Sequence, residues 1–414
     1  MANKFYNTFS FIGEATVPRE SDKLTQGTKF DSGWAKLSMK LGVKESQSNS
    51  QYVTLDAMLP PTDTYEMAKP HKDGEGKKIK FQYKDRNSSA VIDNVSNFAM
   101  LVVDFETDFE KKAERIQLQM KIRNLLQRET LSDEDNEKLA EYKKKVEELS
   151  DNIHTFVNEV DVINFLVKNI ETIKQNKIKI TGNVDKSTSK GKYYTNYKFN
   201  RFEFVPQDTK NELKVSCDLY FDKDAVDETD FKTEKKIILN TYVKSYDGTV
   251  KEDRYYPQQI IIDASKVDLE NPKHVAKLDF TKDTFKVKGK NVYHIPAELK
   301  VLNGSTMVEF TIDMLEPRHR LQVELGSKKL EDYKPKGGYV IGDKVSEIRF
   351  VNIIDNDYPD GAEDTEISVK EFEDLIATSS ADKTIQEVKK EQVKQDEVVV
   401  VQDAEDDELD ELFG

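Results

Sequence analysis

Apolar and polar side chains alternate from Trp34 to Val43 and again from Tyr52 to Met58, where Pro60-Pro61 stops the run. Period two between turn residues is the signature of half-buried antiparallel strands. Phe5 to Val17 is apolar and β-rich up to Pro18, and Lys78–Lys84 and Phe98–Phe105 predict two more strands. The period then changes. Phe109, Ala113, Ile116 and Met120, then Leu139, Tyr142, Val146, Leu149 and Ile153, recur every three or four residues, which marks amphipathic helices. Ser132 followed by Asp135 resembles a capping box. The spacing predicts an antiparallel helical hairpin over 107–129 and 133–155, either a packed insertion or a docking arm. Val162, Phe165, Leu166, Ile170 and Ile173 predict a further helix over 159–175. Strands resume at Lys177 and run to about residue 352, and 368–377 reads as a short helix. The fold class is mainly β with a helical insertion (α+β). The expected units are a β module at 1–106, the hairpin and connecting helix at 107–176, and a second β module at 177–377. Within the last, 236–352 is an elaboration or a third module. Residues 378–414, poor in aromatics, read as a disordered acidic tail.

Composition narrows the function. The chain has 414 residues, 34% of them charged, and a formal charge of -15. The longest purely apolar run is the six residues Phe98–Val103, far short of the ~20 residues of a membrane-spanning helix. Met1 to Phe5 lacks a secretory apolar core. The lone Cys217 excludes an internal disulfide or a cysteine zinc cluster. These features predict a cytoplasmic protein with no membrane partner. The charge is unevenly spread. The last 20 residues hold nine acids and no Lys or Arg, so the other 394 carry only -6, while 171–200 carries +5 and 64–90 carries +3.

Catalytic signals are thin, and no enzyme activity and no cofactor or metal are expected. His71, His154, His274, His294 and His319 share no metal spacing. Lys336-Gly337-Gly338 through Lys344 imitates a phosphate loop, but Asp343 stands where its Lys belongs, so a β-turn is expected. Asp355 to Gly361 approaches a calcium loop, with Pro359 at the fifth position and Gly361 one residue late, and reads as an acidic surface turn. Cys217, in a predicted strand, reads as a small buried hydrophobe.

Residues 177–205 carry the most specific pattern. A basic loop from Lys186 to Lys192, including Lys190, joins two strands. The second strand holds Tyr193, Tyr194, Tyr197, Phe199, Phe202 and Phe204. Without a bulge, 193, 197 and 199 point one way and 194, 202 and 204 the other. One face then builds a core, and the other exposes aromatics beside Lys192, Lys198 and Arg201. Aromatic rings stack on any base and cations hold phosphates, so the mixture suits single-stranded nucleic acid. The plainer reading makes the aromatics core and the lysines solvated. The N-terminal region offers a second copy in Phe30, Trp34, Lys36 and Lys40, with Phe81, Tyr83, Lys84 and Arg86. Trp34 is the sole tryptophan.

Asp403 to Gly414 is acidic with an apolar tip. Asp406, Asp407, Glu408, Asp410 and Glu411 surround Leu409, Leu412 and Phe413, a pattern that fits a basic-rimmed apolar pocket on a partner. An order of features also repeats. Phe11-Ile-Gly13-Glu, Leu37–Val43 and Tyr52–Met58 match Ile180-Thr-Gly182-Asn, Phe199–Val205 and Leu213–Leu219 at a nearly constant offset, which suggests a duplicated β module.

These residues resemble the single-stranded-DNA-binding proteins of bacterial and phage replication. Phe9-Ser-Phe11-Ile12-Gly13-Glu14 with the strand Trp34–Val43 resembles the opening of that family's oligonucleotide-binding (OB) barrel. Lys179-Ile-Thr-Gly182-Asn resembles a second opening, and 403–414 resembles its acidic partner-recruiting tail. Gly414 after Phe413 departs from a tail that ends in Phe. The resemblance implies tandem OB-like barrels in a phage-encoded protein. It would coat single strands in replication, recombination and repair, and recruit replication and recombination proteins through the tail. The alternative is a β-rich virion or assembly protein without nucleic-acid binding.

Overall fold

The computed structural model describes residues 7–18, 24–69, 77–95, 101–128, 130–189, 192–248, 250–334, 339–354 and 362–377. In chain order the N-terminal strands are β1 (Thr8–Thr16), β2 (Thr25–Lys29), β3 (Ala35–Ser46) and β4 (Asn49–Leu59), followed by the hairpin β5 (Thr64–Lys69) and β6 (Lys77–Gln82). An insertion follows with α1 (Ser89–Val95), β7 (Leu101–Asp104), α2 (Phe109–Leu126), α3 (Asp133–Glu148), β8 (Ile153–Phe156), α4 (Glu159–Lys168) and α5 (Ile170–Gln175). Then come β9 (Lys177–Ser189), β10 (Lys192–Phe204), β11 (Glu212–Phe221), β12 (Val226–Asp227), α6 (Phe231–Glu234), β13 (Lys236–Asp247) and β14 (Glu252–Asp263). The chain continues through α7 (Pro272–Thr284), β15 (Asn291–Glu309), α8 (Pro317–Glu324), β16 (Tyr339–Ile353), β17 (Glu363–Ser368) and α9 (Val369–Leu375).

Strand pairing closes two circuits. In the first, β1 pairs with β3, β3 with β4, β4 with β10, β10 with β9, and β9 with β1. All are antiparallel except β4–β10, which is parallel. In the second, β11 pairs with β13, β13 with β14, β14 with β16, β16 with β15, and β15 with β11, again with one parallel pair, β14–β16. β1 also pairs with β11, so both circuits belong to one sheet. Their inward residues form one continuous core, from Phe9, Met39, Leu41, Val53 and Ile180 to Leu219, Leu239, Ile260 and Leu299.

Each circuit carries helix between its third and fourth strands. In the first, α4 buries Val162, Ile163 and Leu166 while Asn158 caps its start by accepting from the Asp161 N–H. α5 adds Ile173. In the second, α7 contributes Leu278, and Phe285 at its end packs on Phe221 and Phe350.

The hairpin forms close to its predicted span. α2 is capped by Asp108, and Ser132 and Asp135 make the capping box of α3. Residues 153–156 leave the helix and pair with β7 instead. Asn169 divides the predicted 159–175 helix in two. Buried ions fasten the hairpin to the first circuit. Arg115, 1% exposed, reaches Asp104, 0% exposed, at 2.5 Å. Lys112 binds Glu203 at 2.9 Å and the Phe204 carbonyl at 2.7 Å. Burial would raise the Glu203 carboxyl, but the charges of Lys112, Arg201 and Lys179 outweigh it and hold the group low.

Residues 177–204 differ from the sequence reading in one consequential way. The repeat makes Phe11–Glu14 and Ile180–Asn183 equivalent openings of two modules. In the structure the two segments are neighbours, with Phe9 opposite Gly182 and Phe11 opposite Ile180. β9 and β10 complete the first circuit, and 212–353 supplies the second. Two β-meanders share a pattern of alternation and turns, which does not report which strands pair.

Candidate nucleic-acid interface

The parallel seam of the first circuit is narrow, with Lys198 opposite Thr54 as its registered pair. A groove of about 1180 Å³ opens there, lined among others by Lys40, Tyr52, Asn183, Asn196, Lys198 and Asn200. The seam of the second circuit, Ile261 opposite Arg349, carries a groove of about 880 Å³ with Asn240, Gln258, Gln259, Asn303 and Glu347. Gln51, Thr195 and Tyr197 line both grooves, so they meet in one trough.

Alternation sets the outer face of β3 and β4. Met39, Leu41 and Val43 with Val53, Leu55 and Ala57 are buried, leaving Lys36, Lys40, Tyr52, Thr54, Asp56 and Met58 outward. Gly42 lies opposite Tyr52, and a Cβ there would come within 3.1 Å of the Tyr52 ring. The missing side chain therefore lets the ring lie on the sheet, 40% exposed. Lys40 has no ion-pair partner among the described residues, whereas Lys36 binds Asp56 at 2.9 Å and Lys198 pairs with Asp185. At the tip of the β2–β3 hairpin, the Phe30 N–H donates to the Trp34 carbonyl at 2.8 Å. That turn presents both rings, 44% and 41% exposed.

β10 corrects the expected faces. The register shifts between Phe199 and Arg201, and the extra residue, Asn200, turns the remainder of the strand over. Tyr197, Phe199, Phe202 and Phe204 therefore all face the core. Tyr197 and Phe199 are 8% and 7% exposed, and Tyr197 packs edge-on against Phe9 and Phe11. Neither ring offers the free face expected of it. The outward row is Lys192, Tyr194, Asn196, Lys198 and Asn200, with Tyr194 its only exposed aromatic. Tyr193 is half-buried and donates its hydroxyl to the Ala377 carbonyl at 2.7 Å.

The other expected residues lie apart from the trough. Phe81 packs on Tyr65 and against the small core of Val91, Val95 and Val157. Arg86 covers the Tyr83 ring at 4.1 Å and forks onto Asp161 at 2.6 and 3.1 Å. That pairing raises the Arg86 guanidinium further, so it is already committed to a carboxylate. Lys84 is exposed. Arg201 lies 3.5 Å from Asp104 and 3.6 Å from Glu203. Lys186 is a buried strand residue rather than part of a loop. Lys190 and the tail residues Asp406 to Phe413 lie outside the described residues, as do residues 355–361.

Tyr52 and the amides of Asn183, Asn196, Asn200, Gln51 and Gln258 are residues the sequence reading missed. Tyr52 was visible, because it shares parity with Thr54 and Asp56, the polar side of its strand. The amides carried no such signal, since only the meeting of the two seams gathers them.

Among the described residues no helix is long and apolar enough to cross a membrane. No protein-family model matches the chain, and no curated protein matches its sequence. Among solved structures it is similar to a deletion variant of the single-stranded DNA binding protein from Thermus aquaticus. The identity is 7% and the TM-score 0.26, over 72% of this chain and 88% of that one. A likeness at that TM-score adds nothing to the geometry above.

Proposed function

We propose that the protein binds single-stranded DNA along the trough, and that each circuit is an OB-type module. The observation that carries the reading is the doubled connectivity. In both circuits the first strand pairs with the second and fourth, the third runs parallel to the fifth, and helix precedes the fourth. OB folds bind oligonucleotides on the face of strands two and three and on the loops beside it. In the first circuit that face is β3–β4, with exposed Tyr52, Lys40, and the Phe30 and Trp34 hairpin tip. Stacking on such rings contributes about 1–3 kcal/mol per base and tolerates any sequence. Lys40, Lys192 and Lys198 supply phosphate contacts that release counterions. The acidic segment 403–414 would recruit proteins of replication and recombination.

The test is a fluorescence titration of Trp34 with oligo-dT and with duplex DNA at two salt concentrations. Preferential, salt-sensitive binding of the single strand with quenching of Trp34 is expected. No binding at low salt by either the full chain or a chain lacking 395–414 would overturn the reading and leave the assembly role.

A further inference from the structure

The inward stripe of β9 reads Ile178, Ile180, Gly182, Val184 and then Lys186, all buried. A lysine thus continues an apolar row at the point where the two grooves meet. Its side chain, 6% exposed, has no carboxylate within ion-pair distance among the described residues. Its ammonium donates instead to the Thr195 hydroxyl at 2.7 Å and to the Gln258 side-chain oxygen. Thr195 lines both grooves, and Gln258 lines the second.

An ammonium has three donors and no lone pair. Thr195 Oγ1 must therefore accept from Lys186, which leaves its own hydrogen to be donated elsewhere. No acceptor for that hydrogen occurs among the described residues. Gln258 is fixed in the same way, its oxygen held toward Lys186 and its amide nitrogen donating to the Gln259 carbonyl at 3.0 Å.

We propose that Lys186 is a positioning residue that makes the Thr195 hydroxyl a donor at the junction of the grooves, forming a subsite for a phosphodiester oxygen. The ligand assignment rests on the single-strand reading above. The ammonium behind the hydroxyl polarises it and supplies positive potential, so an anionic oxygen fits and a second donor does not. The groups facing Lys186 are few. They are Cys217 on β11, with Asp218 and the Tyr197 of β10 beyond it, and Gln258 on β14, while the Ser245 hydroxyl on β13 accepts from the Lys186 backbone N–H. On its own strand, Asp185 is turned to Lys198. Burial brings the Lys186 ammonium down to about 8, with Cys217 opposing weakly. Burial drives Cys217 up to about 12 and raises Tyr197 as well, so neither neighbour titrates near pH 8. A bound phosphate favours the charged lysine, so affinity falls as pH rises through the free-state value.

The experiment measures oligo-dT affinity of the full chain at pH 7.0, 8.0 and 9.5 at constant ionic strength, for the wild type, Lys186→Met and Thr195→Val. Wild-type affinity should fall about tenfold across the range, the size of one charge-assisted hydrogen bond. Both variants should bind about tenfold more weakly at pH 7.0 and show a flat profile. Variants that follow the wild-type pH profile would overturn the subsite while leaving DNA binding intact. If the wild type binds no oligonucleotide, the single-strand reading fails, and the subsite is read by NMR titration of the Lys186 side-chain carbons with inorganic phosphate. An upward move of the Lys186 titration supports it, and an unmoved titration overturns it.

Discussion

The two circuits share one pairing diagram and differ in what is hung on it. In the first, 60–176 separates the third strand from the fourth and brings in a helical hairpin tied down by buried ions. In the second, 264–290 does the same job with one helix. Their seams differ too. The first offers Lys40, Lys198 and exposed Tyr52, and the second offers amides and Glu347. Connectivity is therefore common to both, while the exposed Tyr52 and the lysines Lys40 and Lys198 belong to the first seam. On the proposed reading the first circuit grips the strand, and the second lines its path.

The strongest challenge to that asymmetry is Arg115→Leu. It leaves the buried Asp104 without its closest cation, but Arg201 at 3.5 Å and Lys112 at 3.6 Å stay beside it, so the expected loss is that of one charged hydrogen bond, about 2–3 kcal/mol. Denaturant unfolding should show the loss, and hydrogen exchange should place it in β7 and the hairpin. Equal loss of protection in β13 to β16 would mean that the circuits do not differ in what stabilises them.

Affinity separates the seams next. Tyr52→Ala should weaken oligo-dT binding by about 1–3 kcal/mol, the size of one stacked base. Gln259→Ala in the second seam should cost less, and the reverse ranking would assign the grip to the second circuit. A finer discrimination comes from salt. Lys40→Ala should lower the slope of log affinity against log salt by about one, Lys198→Ala by less because Lys198 is paired with Asp185, whereas Gln259→Ala should leave it unchanged.

The smallest effect concerns acid. In the second circuit Glu347 binds Lys236 at 2.8 Å and Arg349 at 2.9 Å. Burial pushes its carboxyl up, but hydrogen bonds and charge from Lys236 and Arg349 outweigh that and hold it below the carboxylate range. The folded value is thus below the unfolded one. The contribution is full above the ordinary carboxylate range and disappears as pH falls through the depressed value. Glu347→Gln should flatten that limb of the stability curve by up to about 1 kcal/mol, since the pair is only partly shielded. A limb unchanged by the substitution would remove the pair from the account.

Much of the fold was legible. The alternation of Trp34–Val43 and Tyr52–Met58 gives β3 and β4, the capping box at Ser132 starts α3, and Asp247-Gly248 follows the end of β13, whereas Asn303-Gly304, a turn by its residue types, lies within β15. The candidate site was less legible. Tyr197 and Phe199 look identical to Tyr194 in a list of aromatics, and only a bulge at Asn200 decides that the first two are core. Arg86 reads as a phosphate contact until Asp161, 75 positions away, closes on it.

Local pattern by itself determined the strands, the hairpin, the absence of recognised catalytic motifs, and the aromatic and basic residues around 177–205. Those properties depend on neighbours within a few residues, where period and capping act. Tertiary structure alone decided that β9 and β10 close the first circuit, that the two seams meet in one trough, and that Lys186 lies beneath Thr195 and Gln258. The reason is that strand pairing joins backbone groups far apart in sequence, and alternation names a strand's two faces without saying which neighbour will cover either.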